Sequence, residues 1–69
     1  MERYKLVKTA TRYEARNAKG EAIAFVSQES PDAIRVDYEV PYGWETDWFA
    51  GDLSKYSEKD IRDMLRNFI

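Results

Sequence analysis

The chain contains no cysteine and no histidine. That excludes disulfides, thiol chemistry, zinc sites of the usual Cys/His kind and haem ligation through either side chain. A nucleophile triad loses its customary base, and Ser27, Ser30, Ser54 and Ser57 all fall in loop or cap contexts. Glycine is scarce: Gly20, Gly43 and Gly51 are too far apart to build a phosphate-cradling loop. A calcium loop fails too, because the alternate positions after Asp47 hold Phe49 and Gly51. No stretch approaches the roughly 18 apolar residues of a membrane span. No apolar run follows Met1-Glu2-Arg3-Tyr4-Lys5, so a signal peptide is not expected. A cysteine-free chain suits a reducing compartment, and a cytoplasmic location is expected. No cofactor and no metal are expected.

The 69 residues allow one small domain, expected to span 1–69. A chain of this size buries only roughly 60% of its unfolded surface, so each core residue counts heavily. The hydrophobic fraction of 43%, with 14% aromatic, argues for a folded domain over a disordered one. The net charge of −2 is unevenly spread along the chain. Residues 1–19 carry a net +4, residues 20–54 a net −7 and residues 55–69 a net +1. Such asymmetry marks a polar interaction surface unless folding intermingles the charges.

Alternation of apolar and polar residues predicts strands. Arg3 to Lys8 places Tyr4 and Leu6 on one face, and Arg12 to Asn17 turns Tyr13 and Ala15 inward. Asn17-Ala18-Lys19-Gly20 reads as a hairpin turn, with Gly20 free to take positive φ. Glu21 to Ser27 is apolar on both faces, which marks a central strand; Ser27 to Asp32 then breaks the pattern and reads as a loop. Ala33 to Val40 alternates cleanly, with Ile34, Val36, Tyr38 and Val40 opposed to Arg35, Asp37 and Glu39. Val40-Pro41-Tyr42-Gly43 is a turn by composition, and Trp44 to Phe49 returns as a last strand.

A helix closes the chain. Ser57 and Asp60 have capping-box spacing, and Tyr56 with Ile61 fits a hydrophobic staple. Ile61, Met64, Leu65, Phe68 and Ile69 form one apolar stripe. Glu58 with Arg62 and Lys59 with Asp63 are spaced for i,i+4 ion pairs. The expected fold class is α+β: an antiparallel meander of four or five strands with one C-terminal helix packed on one face.

The stretch from Asp37 to Asp52 concentrates the functional signal. It holds both tryptophans, five of the ten aromatics and five carboxylates, with no Lys or Arg between Arg35 and Lys55. Acid/base catalysis by pairs such as Glu45 with Asp47 is disfavoured, since neighbouring carboxylates on a small domain are usually solvated surface. A sheet with one helix also offers little room for a substrate pocket of ~300 Å³. The chain therefore reads as a non-enzyme. Tyr and Trp dominate interface hot spots, which points to a protein-binding module. Tyr42, Trp44 and Trp48 would be its contacts, and Asp37, Glu39, Glu45, Asp47 and Asp52 an acidic rim steering a partner with a basic surface. Core filling by Trp44 and Trp48 competes with this reading; Tyr42, at a turn apex, is expected outside.

The alternative is a nucleic-acid-binding module through Arg3, Lys5, Arg12, Arg16 and Lys19 on the first hairpin, with Tyr4 or Tyr13 for stacking. The pI near 5.0 makes nucleic acid the less favoured partner. An accessory subunit of a larger assembly, or a homodimer through a sheet edge, stands beside it. No membrane partner is expected. In size and charge, and by no motif, the chain resembles the small acidic proteins with which phages and mobile elements block larger host machines, anti-CRISPR proteins among them. That resemblance implies an inhibitor; if the machine it blocks binds nucleic acid, the acidic hairpin would occupy a site meant for phosphate.

Overall fold

The computed structural model describes residues 4–69. Five strands, β1 (Lys5–Lys8), β2 (Arg12–Arg16), β3 (Ala22–Ser30), β4 (Ala33–Val40) and β5 (Gly43–Ala50), form one antiparallel sheet in the order of the chain. A 3-10 turn over Leu53–Lys55 leads into helix α1 (Glu58–Leu65). The α+β meander expected from the alternation is what forms, with the apolar-on-both-faces strand β3 at its centre. Arg3, expected to open the first strand, lies outside the described residues. Among the described residues no helix is long and apolar enough to cross a membrane.

Pairing across the sheet puts Leu6, Tyr13, Ala15, Ala24, Val26, Ile34, Val36 and Tyr38 on one face, where they join Ile61, Met64 and Leu65 of α1 in the core. Ile34, Ile61, Leu65, Val26 and Val36 are its largest fully buried side chains. Phe68 stacks on Tyr38, with ring centroids 4.5 Å apart, and meets Phe49 edge-on at 6.0 Å. The helix stripe thus docks as its periodicity requires. Phe68 and Ile69, however, follow the helix in a turn whose amides bond back to the Leu65 carbonyl.

Local chemistry explains the ends of these elements. The Ser57 hydroxyl accepts from the Asp60 amide while the Asp60 carboxylate accepts from the Ser57 amide, so two helix-end donors are satisfied reciprocally. In the β2–β3 turn the Asn17 side-chain oxygen accepts from the Lys19 and Glu21 amides, and Gly20 takes φ +82°. After β5, Gly51 has φ +144°, and a Cβ there would stand 3.1 Å from the Tyr56 hydroxyl. A side chain at 51 would be strained by its backbone and crowd the residue that precedes the helix.

The expected loop from Ser27 to Asp32 is mostly strand: β3 runs on to Ser30, leaving a turn at Pro31-Asp32. Gln28 is the physical reason. The two protons of its amide nitrogen are shared among the Ser30, Ala33 and Gly51 carbonyls, and its oxygen accepts from the Leu53 amide. A polar side chain thus ties together the irregular end of β3, the start of β4 and the chain leaving β5, across a register shift between Gln28 and Ser30.

Candidate interaction surface

The helix covers one face of the sheet; the opposite face carries both tryptophans with Asp37 and Glu39. The Val40-Gly43 closure and the unbroken register of β4 with β5 set Trp44 beside Glu39, Thr46 beside Asp37 and Trp48 beside Arg35. Residues directly opposite share a face, so both tryptophans lie on the wet side of β4. Core filling is therefore not their role: Trp44 is 49% and Trp48 58% exposed. Tyr42, at the hairpin tip, is 99% exposed. This placement was already implied by two features of the sequence, the two-residue turn and the wet face of β4.

Trp44 is stacked on Phe25 of β3, centroids 5.6 Å apart and planes at 24°, and the Arg12 guanidinium lies 4.1 Å over the other end of that cluster, on the Phe25 ring. The Trp48 indole nitrogen donates to the Glu29 carboxylate. Arg35 bridges Glu29 and Asp37, and Asp37 also accepts from the Thr46 hydroxyl at 2.6 Å. Glu14 is buried between Arg12 and Arg16. Its carboxyl is held below the usual range, first by the Arg16 hydrogen bond, against the opposing effect of burial and with help from Arg12. The result is a strip in which aromatic groups and paired charged groups alternate. Phe25, Arg35 and Glu29 are not marked as site residues by the sequence, and Arg12 only as a nucleic-acid contact, although Phe25 faces away from buried Ala24 and Val26 by simple alternation.

The expected acidic rim does not assemble. Asp37 and Glu39 share the open face with the tryptophans, while Glu45 and Asp47 point to the helix side, opposite Tyr38 and Val36. Asp52 caps the 3-10 turn instead, accepting from the amide and hydroxyl of Ser54, which lower its pKa. The first hairpin's Arg12 and Arg16 are engaged with Glu14. Two of the guanidiniums that a phosphate-binding platform would need therefore share one carboxylate, which offsets half of their charge.

On the helix side, the Tyr38 hydroxyl lies 3.1 Å from both the Glu45 and the Asp47 carboxylates. One hydroxyl proton serves two acceptors. Burial first, then the hydrogen bonds and negative charge of Glu45 and Asp47, push the Tyr38 pKa up to about 12. The folded state holds this proton more tightly than the unfolded chain, whose phenol ionises near ~10. The associated stability is complete below about pH 10 and is lost as pH rises through about 12. In an ultraviolet titration one tyrosine should ionise last, near pH 12, and Tyr38→Phe should abolish that final step. A final step that survives Tyr38→Phe would remove the shared-proton geometry.

At the far end of the sheet an open groove of about 330 Å³ is lined by Lys8, Tyr13, Gln28, Asp52, Leu53 and Tyr56, among others. The fold thus leaves more room than expected from its size. The carboxylate in that groove, Asp52, is already committed to Ser54. Among the described residues no group of three or more acidic side chains is placed to hold a metal ion. No protein-family model, curated protein or solved structure matches the chain.

Proposed function

We propose that the chain is a non-enzymatic protein-binding module that docks through the open face of its sheet, with Trp44, Trp48 and Tyr42 as the anchors. The observation that carries this reading is the pair of half-exposed tryptophans on the face that α1 leaves bare. Exposed aromatic surface held rigidly by neighbours offers a partner large contact area at little entropic cost. The stack on Phe25 and the bond to Glu29 provide that rigidity. The partner's surface combines apolar pockets for the indoles with polar groups able to meet an internally paired charge array. Size and charge likeness to mobile-element inhibitors adds no residue to this surface.

The test is site-specific photo-crosslinking in the source cell. An aromatic photo-crosslinking residue placed at 44 or 48 should capture the same partner, whereas one at 59, on the exposed side of α1, should not. Capture from 59 with none from 44 or 48 would move the interface to the helix.

A further inference from the structure

The two edges of the sheet are treated differently. β1 is four residues long and carries Lys5 and Lys8, the short, lysine-bearing kind of edge that resists pairing. β5 runs for eight residues, GWETDWFA, without lysine or proline, and its pairing with β4 shows no bulge. In an antiparallel pair alternate residues exchange both backbone bonds, leaving the others pointing away. The Gly51 amide donates to the Asp32 carbonyl at 2.8 Å, in register with the β4–β5 ladder, which fixes the phase. The backbone groups of Trp44, Thr46 and Trp48 therefore point out from the edge. Among the described residues, no backbone bond from outside the sheet reaches them.

The side chains beside that edge say what fits it. Glu45 and Asp47 flank it on the helix side, and among the described residues neither forms an ion pair with a Lys or Arg. Trp44 and Trp48 flank it on the open side. A second copy fits badly: two-fold antiparallel pairing centred on Glu45, Thr46 or Asp47 sets Glu45 against Glu45, Glu45 against Asp47, or Asp47 against Asp47. Like charges directly opposite one another are destabilising.

We infer that the β5 edge accepts an extended segment of the partner as a sixth strand, one alternating basic residues, set against Glu45 and Asp47, with apolar residues set against Trp44 and Trp48. Backbone bonds supply the docking and the alternating side chains the selectivity, as in other strand-addition interfaces. The inference rests on the protein-binding reading and deepens it.

The probe is a blocked eight-residue peptide alternating Lys and Val, added to the whole protein while backbone amide exchange is followed by NMR. Exchange at Trp44, Thr46 and Trp48 should slow about tenfold or more at saturation. The same peptide N-methylated along its bonding edge, or carrying Glu in place of Lys, should not do this. Glu45→Lys should shift preference to the Glu peptide; if that variant melts below the wild type, Glu45→Gln should weaken the Lys peptide instead. No slowing with the Lys peptide, or equal slowing with the Glu peptide, would overturn the inference. So would a protein that sediments as a dimer with these amides already protected. Failure here with intact crosslinking from 44 and 48 removes the edge and leaves the open face. Failed crosslinking with peptide-dependent protection does the reverse.

Discussion

Leu65→Ala should unfold a large share of the molecules at room temperature. Leu65 is fully buried in the core cluster that joins Ile61 of α1 with Ile34 and Val36 of the sheet. Truncating a leucine in such a site removes its transfer free energy and leaves a cavity, together roughly 2–5 kcal/mol. Small domains hold about 5–15 kcal/mol in total, and one of this size sits low in that range. The helix has no independent means of support: its eight residues, even with the capping box and the Glu58–Arg62 and Lys59–Asp63 pairs, are too few to persist alone. Losing the docking contact should therefore melt helix and sheet together, in one transition shifted well below that of the wild type. An unchanged thermal melt of Leu65→Ala would show that α1 is not what closes the core.

Trp48→Ala should have the opposite profile. The side chain is half exposed and lies outside the core cluster, so its loss should alter stability by about 1 kcal/mol or less. Its loss to binding should be large. Hot-spot tryptophans typically cost about 2 kcal/mol or more on truncation, which is roughly thirtyfold in affinity. Trp44→Ala should behave similarly, with some added instability, because its ring is stacked on Phe25. Titrating a crosslinked and identified partner against each variant, after checking its melt, separates the two contributions. Full affinity of a natively folded Trp48→Ala would take that residue out of the interface.

Much of this architecture is legible in the residues. Period-two alternation marks β1, β2 and β4 because one face of each is core and the other is wet; β5 alternates as well, but with its tryptophans on the open face and Glu45 and Asp47 on the helix side. The capping box marks the start of α1 to the residue. Its end is less legible, since Phe68 and Ile69 keep the apolar spacing of a helix while leaving it in a turn. The Ser27–Asp32 stretch is opaque for a different reason. Gln28 holds strand geometry through side-chain bonds to Gly51 and Leu53, 23 and 25 residues away, which no local pattern encodes.

The candidate site was half visible. Aromatic enrichment after Asp37 identified Tyr42, Trp44 and Trp48, and these do reach solvent. The acidic residues of the same stretch are neighbours in sequence, but a strand sends neighbours to opposite faces. Glu45 and Asp47 accordingly meet Tyr38 on one side of the sheet while Asp37 meets Arg35 and Thr46 on the other. Partners from distant strands, Phe25 and Glu29, complete the tryptophan surroundings.

On the proposed function, the face bearing both tryptophans is open in the free molecule and closed by a partner. The chain has two tryptophans and both lie on that face, so indole fluorescence reports it without labels. Acrylamide quenching of the monomer should be strong, with the emission of solvated indole, and both should fall toward those of buried indole when the crosslinked partner is bound. Shielded indoles in the free monomer, or quenching unchanged in the complex, would contradict the account.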